Sequence, residues 1–188
     1  IGGAIADADL FLIDDGAGGT LRKTAASRIK TYIGGGVNTP AFQAKMSGVS
    51  ATIAEGPLVA IATNFNSEDF DTDNAFDTST GKFTPQTAGK YYAETQLHLN
   101  GNGTASDLYM AYAQIYKNDT PDARTINQID MRNNGGWGFG LKTAGIFDLN
   151  GSSDFLKVWV NINTASNSDG TLGGESNYTY FRAFKLIE

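Results

Sequence analysis

Short segments in which apolar and polar residues alternate make up most of the chain beyond residue 40, and turn-forming residues separate them. Alternation with a period of two is typical of half-buried β-strands. It predicts strands over residues 58–65, 90–100, 109–117, 138–148, 155–162 and 178–187. One face of residues 90–100 carries Tyr91, Ala93, Thr95, Leu97 and Leu99. A series of short strands with turns between them favours a two-sheet sandwich or a barrel.

Aromatic residues stand on the second face of two of these predicted strands. Trp159 and Phe155 alternate with the apolar side chains of residues 155–162, and Tyr92 lies opposite the apolar face of residues 90–100. A large ring on an otherwise polar face is typical of a surface that another subunit covers. We therefore predict that Trp159, Phe155 and Tyr92 lie at a subunit interface.

The first 36 residues are predicted to form a separate segment. Gly34-Gly35-Gly36, followed by Thr39-Pro40, supports neither helix nor strand, so the chain divides into an N-terminal segment of residues 1–36 and a globular head of residues 37–188. The segment contains an apolar strand over residues 9–15, a glycine-rich turn, a return strand over residues 20–23 and a helix over residues 25–33 capped by Thr24. A hairpin with one short helix is not stable alone. We expect it to pack on other copies or on other proteins of an assembly, as a stem.

Composition narrows the class of protein. The 188 residues include 23 glycines, no cysteine and only 18% charged residues, which fits one β-rich domain with many loops and no disulfide. The net charge of −6 supplies no basic surface for nucleic acid, and no apolar run reaches the length of a membrane span. No signal peptide is visible, and a first residue other than Met predicts a fragment or a processed product.

A spaced motif in residues 65–91 resembles that of a known family. The motif consists of Phe65, Asp71, Phe76, Phe83, Gly89 and Tyr91. It resembles the signature of the globular head of the complement q subcomponent, which is related to the tumour-necrosis-factor jelly rolls. Residues 149–154 and 180–187 look like later elements of the same domain. The resemblance implies an all-β antiparallel jelly-roll sandwich that assembles as a homotrimer.

The chain departs from the family pattern at three places. Ala93 and Thr95 stand where the family expects aromatic residues, and Ala183 stands where a glycine is usual. No collagen-like repeat precedes the head, which disfavours the collagenous branch of the family. The resemblance therefore carries over the fold but no ligand site.

The N-terminal segment resembles a different group of proteins. Residues 8–16 and 21–25 look like the segments that precede the heads of bacteriophage tail-fibre proteins, notably marine ones. Together, the two resemblances imply a virion protein whose trimeric head attaches the phage to a host-surface glycan or outer-membrane protein, with residues 1–36 joined to other tail or capsid proteins. Attachment of this kind needs no cofactor and no enzymatic activity.

Polar loops rich in glycine and asparagine are the candidate ligand-binding elements. The loop of residues 133–140 combines glycine freedom with Trp137, an arrangement suited to stacking on a sugar or contacting a protein. We predict ligand contacts from Asn134 and Trp137, and from Asn102 and Asn167 in two similar loops. In the simpler interpretation, this loop is a hairpin turn whose Trp137 and Phe139 pack into the domain or the threefold interface.

Metal binding and catalysis have weaker candidates. Asp69, Asp71 and Asp73 alternate as in a calcium loop, but Asn74 and Thr80 occupy the positions that need Gly and Glu, so we predict a structural turn and no metal. The lone His98 has no cysteine to pair with, and the sequence contains no Gly-x-Ser-x-Gly motif. Two alternative functions stay open. One is a structural cap or capsid decoration without a ligand, and the other is a glycan-degrading enzyme that uses two of the carboxylates Glu68, Asp69 and Glu94.

Overall fold

The computed structural model describes residues 4–14, 21–33, 38–48, 50–101, 107–131, 135–173 and 178–186. The chain forms two compact units, Ile1–Val37 and Asn38–Leu186.

The N-terminal unit is a hairpin followed by a helix. Strand β1 (Leu10–Asp14) pairs antiparallel with β2 (Leu21–Ala25), and α1 (Ala26–Ile33) follows directly. The two strands and the helix agree with the prediction to within two residues, whereas the predicted glycine turn lies outside the described residues. The predicted cap was wrong. Thr24 belongs to β2, and the first helical N–H groups of Ala26 and Ser27 donate instead to the backbone oxygens of Asp9 and Asp7.

The larger unit contains two seven-stranded sheets. The first, the β9 sheet, comprises β3 (Ala41–Lys45), β4 (Ala51–Ile53), β6 (Ser67–Asp71), β9 (Gly89–Asn100), β13 (Gly138–Leu149), β15 (Gly170–Leu172) and β16 (Tyr180–Lys185). The second, the β10 sheet, comprises β5 (Val59–Ile61), β7 (Phe76–Asp77), β8 (Lys82–Phe83), β10 (Leu108–Lys117), β11 (Thr120–Pro121), β12 (Asn127–Asp130) and β14 (Leu156–Thr164). All pairings between strands are antiparallel, and a 3-10 turn (Ala123–Thr125) follows β11.

Both sheets direct one face into a common core. The residues from Tyr91 to Leu99 that were predicted to share a face are all buried, as are Leu156, Val158, Val160 and Ile162 of β14. The strand predicted over residues 58–65 is shorter, because β5 ends at Ile61 and the chain then bends to place Phe65 in the core. Strand β3, with buried Phe42 and Ala44, was not predicted.

An aromatic cluster occupies the centre of this core. The ring of Phe42 stacks on Phe76 at 4.5 Å and on Phe83 at 4.6 Å, and it meets Phe181 edge-on at 5.1 Å. Such ring pairs stabilise a core beyond the apolar area that they bury. Phe65 contacts Phe181, and Tyr91 contacts Phe83. The aromatic residues of the sequence motif therefore converge on Phe42, which lies outside the motif.

The polar residues of the motif shape the turns between these aromatics. Asp71 accepts a hydrogen bond from the backbone N–H of Phe76 at 2.7 Å. Asp77 accepts from the backbone N–H and hydroxyl of Ser79 and from the hydroxyl of Thr80, which together lower its pKa. Gly81 closes the turn with a φ of +67°, where a Cβ would lie 2.5 Å from the carbonyl oxygens of Ile61 and Ala62. Only glycine fits this position.

Two of the positions that depart from the family pattern face each other. Ala183 of β16 lies directly opposite Ala93 of β9, and both side chains are buried. Thr95, the third departure, donates its hydroxyl to the backbone oxygen of Tyr180 at 2.7 Å, so its polar group is satisfied in the core.

Replacement of Phe83 by alanine should lower the free energy of unfolding by about 3–5 kcal/mol, because the substitution leaves a cavity beside Phe42 and Tyr91. The matched control is Phe70→Ala, which removes an exposed ring of β6 and should change stability by less than about 1 kcal/mol. Urea unfolding followed by tryptophan fluorescence measures both. Equal losses for the two variants would contradict the central role of the aromatic cluster.

Candidate functional site

Trp137 stands on a loop that is tied to the neighbouring strands. Gly136 exchanges two backbone hydrogen bonds with Leu108, and the N–H of Gly101 donates to the carbonyl of Trp137 at 2.9 Å. The indole is nevertheless 64% exposed. Phe139, two residues further on, packs against the core. The simpler interpretation of this loop therefore holds for Phe139 but not, within a single chain, for Trp137.

Asn167 stands on a second loop at the same end of the sandwich. The buried carboxylate of Asp107 accepts hydrogen bonds from the backbone N–H and the hydroxyl of Ser166, and the N–H of Ala165 donates to the Asp107 carbonyl. Asn167 is exposed and adopts a φ of +52°. Because Asp107 adjoins Leu108, both loops are anchored to the start of β10.

The structure therefore brings Trp137 and Asn167 to one end of the sandwich, on backbone that hydrogen bonds hold in place. Asn102 and Asn134, the other two predicted ligand residues, lie outside the described residues. An exposed indole beside polar loops can stack on a sugar ring or contact a protein surface. We call this end of the sandwich the loop end.

The outer face of the β9 sheet holds a buried carboxylate. Glu94 is only 4% exposed, and it accepts hydrogen bonds from Tyr92 at 2.8 Å and Tyr180 at 2.9 Å. Arg182 lies 2.6 Å and Lys142 3.0 Å from its oxygens. Burial alone would raise the pKa of Glu94, but these four donors outweigh it and lower the pKa to about 2.

Two of the carboxylates considered for glycan cleavage bind partners within the chain. A general acid needs a raised pKa, whereas Glu94 is held ionised by its partners. Asp69 contacts Lys45 at 2.5 Å and Gln43 at 2.7 Å, and these contacts lower its pKa. Glu68 is exposed on the edge strand β6. The alternative of a glycan-degrading enzyme gains no support from these contacts.

An apolar strip of three residues lies beside Glu94 and its four donors. Ile146 of β13, Tyr92 of β9 and Phe184 of β16 are direct cross-strand neighbours, and the rings of Tyr92 and Phe184 lie 5.4 Å apart. Ile146 is 55% exposed. Sequence reasoning selected Tyr92 but missed its two neighbours, because strand pairing cannot be read from one strand alone.

The three predicted interface residues do not share a surface. Tyr92 belongs to the outer face of the β9 sheet, whereas Trp159 belongs to the outer face of the β10 sheet and Phe155 directly precedes β14 of that sheet. Trp159 stacks on Tyr116 of its own chain at 5.1 Å, and Lys82 lies over the ring of Phe155 at 4.0 Å. Intramolecular packing thus accounts for part of the burial of both rings.

The remaining candidates have structural roles. Asp71 shapes the turn before Phe76, and His98 packs edge-on against Tyr178 at 5.6 Å. Among the described residues, no group of three or more His, Cys, Asp or Glu side chains is placed to hold a metal ion. The described residues also include no helix that is long and apolar enough to span a membrane.

A hollow of about 380 Å³ lies near the turn between β10 and β11. Its polar side chains bond to the protein itself: Asn118 bonds to Asp154 and to the N–H of Phe155, and Lys117 bonds to Asp154 and to the carbonyl of Asp148. We therefore place the candidate site at the loop end.

The low pKa of Glu94 predicts a pH-dependent stability. A carboxylate whose pKa is lower in the folded state stabilises the fold above its unfolded pKa, and this contribution disappears as the pH falls toward 2. The shift from 4.5 to about 2 corresponds to about 3 kcal/mol between pH 6 and pH 2. Urea unfolding across this range should give a steep profile for the native protein and a flatter one for Glu94→Gln. The matched control is Glu68→Gln, which removes an exposed carboxylate and should keep the native dependence of stability on pH. If Glu94→Gln also keeps the native dependence, the lowered pKa of Glu94 in the folded state is wrong.

Comparison with known proteins agrees with the architecture. No protein-family model matches the chain, and no curated protein matches its sequence. The crystal structure of murine APRIL at pH 8.0 is similar to it, with a TM-score of 0.53 over 78% of this chain and 98% of that chain. Murine APRIL is a jelly roll of the tumour-necrosis-factor family, and at 12% sequence identity the likeness shows the fold alone. The chain thus has the antiparallel, tumour-necrosis-factor-like jelly-roll fold that its sequence predicted.

Proposed function

We propose that this protein is a bacteriophage tail-fibre component, and that its head of residues 37–188 forms a homotrimer that attaches the virion to a host-surface glycan or outer-membrane protein. The observation that carries the proposal is the exposed Trp137 on a loop that backbone hydrogen bonds anchor to Gly101 and Leu108. Attachment requires binding only, without a cofactor or a chemical step.

The loop end suits recognition for a physical reason. An exposed indole loses little conformational entropy on binding, because its backbone is already held and its side chain has two rotatable bonds. The neighbouring loop presents Asn167, whose amide can donate and accept hydrogen bonds. Three such loop ends on one trimer multiply a weak single contact through their effective concentration.

The apolar strip supports the trimer. Ile146, Tyr92 and Phe184 form an apolar strip on a sheet face, next to the charged cluster around Glu94. An apolar and aromatic centre with a polar border is the usual composition of a subunit interface. We assign this strip, rather than Trp159 and Phe155, to the contact between copies.

The virion location rests on the N-terminal segment. Residues 8–16 and 21–25 resemble the segments that precede the heads of bacteriophage tail fibres. Residues 1–36 would then connect the heads to other virion proteins.

Substitution of Ile146 by lysine should convert the trimer to monomer, because it places a charge in the apolar strip without disturbing the buried face of β13. Light scattering should give three times the chain mass for the native protein and one chain mass for Ile146→Lys. Lys157→Glu is the matched control, since it changes a charge between Phe155 and Trp159 on the other sheet, and it should stay trimeric. A monomeric Lys157→Glu beside a trimeric Ile146→Lys would move the interface to the β10 sheet, and a monomeric native protein would exclude the trimer.

Trp137→Ala should weaken the binding of labelled trimer to host cells by about thirtyfold or more, because a central aromatic anchor contributes about 2 kcal/mol or more at an interface. Ile126→Ala removes another exposed apolar side chain, adjacent to β12, and should bind like the native protein. Saturable binding to a panel of candidate bacteria measures both, with circular dichroism to confirm folding. A trimer that binds none of these bacteria would favour the structural cap, and release of sugar from a bound glycan would favour the enzyme.

A further inference from the structure

Asp107 lies between the two loops of the loop end. It directly precedes β10, and its side chain is only 4% exposed. Its carboxylate accepts hydrogen bonds from the backbone N–H of Ser166 at 2.9 Å and from the Ser166 hydroxyl at 3.1 Å. The N–H of Ala165 donates to the Asp107 carbonyl at 2.8 Å. The side chain and the backbone of this one residue therefore both hold the loop that presents Asn167.

The same residue packs against the backbone that holds the Trp137 loop. A Cβ atom added to Gly101 would lie 3.0 Å from the Cβ of Asp107 and 3.3 Å from its Oδ2 atom, so the two residues are closely packed. Gly101 in turn donates its N–H to the carbonyl of Trp137 at 2.9 Å. Because glycine carries only hydrogen at this position, the side chain of Asp107 can approach the backbone. Asp107 thus contacts the segments that hold both loops.

The backbone at this point runs as three neighbouring segments. Leu108 pairs with Gly136 on one side and with Thr164 of β14 on the other. Since paired strands lie about 4.7–4.9 Å apart, Gly136 and Thr164 are separated by about 10 Å across Leu108. Each of the two loops continues from one of these outer segments. A ligand that contacts both loops must bridge this separation.

The Asn167 loop depends on hydrogen bonds for its position. Residues 165–169 are exposed or half-buried, so no core contact holds this stretch of the chain. Hydrogen bonds between Thr164 and Ser168 close the loop on itself, whereas those with Asp107 join it to β10. A loop that is ordered before binding loses less conformational entropy when the ligand arrives. The contacts of Asp107 therefore favour binding that uses both loops.

We propose that Asp107 is a positioning residue for attachment: it holds the Trp137 loop and the Asn167 loop at a fixed separation, so that both contact the same ligand. This inference rests on the proposed function, in which the loop end binds the host surface. Asp107 is buried and acts through Gly101 and Ser166, without touching the ligand itself.

Hydrogen exchange of the full chain, followed by mass spectrometry of its peptic fragments, tests whether Asp107 joins the loops. Asp107→Ala should raise the exchange rate by about tenfold or more in the fragment with Gly101 and in the fragment with Ser166, because both lose a buried contact. The matched control is Asp154→Ala, which removes a carboxylate that holds a turn at the other end of β14 and should leave both fragments at the native rate. Faster exchange at Ser166 alone, or at neither residue, would overturn the proposal.

Binding of the labelled protein to host cells tests whether the ligand needs this arrangement. Asp107→Ala should weaken binding by about tenfold or more, since the bound arrangement of the loops must then be formed on binding. Asp107→Asn should stay within about threefold of the native affinity, because the amide oxygen still accepts the Ser166 N–H and the amide nitrogen can donate to the Ser166 hydroxyl. A purely structural role would lower the stability of Asp107→Ala and leave the affinity of its folded protein unchanged.

Two further outcomes separate this proposal from the proposed function. Asp107→Ala that binds cells as tightly as the native protein, while Trp137→Ala does not, would overturn the positioning role and leave attachment at the loop end standing. A native protein that binds none of the candidate bacteria would contradict the proposed function, and the positioning role in attachment would fall with it, even where the exchange rates show that Asp107 joins the loops.

Discussion

The packing of four phenylalanine rings between the sheets is the interaction on which the rest of the larger unit depends. Phe76 and Phe83 come from two consecutive strands, whereas Phe42 and Phe181 come from strands far away in sequence, and the ring centroids of the contacting pairs lie 4.5 to 6.2 Å apart. The turns that precede Phe76 and Phe83 position the rings of these two residues in the cluster. Asp71 and Asp77 make those turns with local hydrogen bonds, and Gly81 makes a close approach that no side chain would permit.

Because the inner faces of both sheets are used by this core, contacts with other molecules fall to the outer faces and the loops. The outer face of the β9 sheet combines the ionised Glu94, which accepts hydrogen bonds from four side chains, with the apolar strip around Ile146. These hydrogen bonds hold the side chains of Tyr92, Tyr180 and Arg182 in place on that face. At the loop end, strand pairing fixes the backbone and leaves the Trp137 side chain exposed. The two surfaces can therefore serve assembly and attachment without competing for the same residues.

The N-terminal unit follows the opposite principle. The larger unit buries most of its apolar side chains in its own core. The hairpin and helix instead leave Leu10, Leu12, Ile13, Leu21 and Tyr32 exposed. A unit of this size has too little volume to enclose a core of its own.

The sequence by itself determined the all-β class, the long strands β9, β10, β13, β14 and β16, and the buried faces of β9 and β14, because alternation is a local property that burial on one side of a sheet imposes directly. The resemblance of the motif in residues 65–91 to the complement q head implied the jelly roll, which the pattern of strands alone did not distinguish from other sandwiches and barrels. Only the tertiary structure decided which strands are neighbours, and this pairing placed Ile146, Tyr92 and Phe184 in one row while separating Tyr92 from Trp159 and Phe155. It likewise decided that Glu94 is buried among four donors and that Trp137 is exposed while Phe139 packs against the core. Such properties depend on contacts between residues far apart in the chain, which no local pattern specifies.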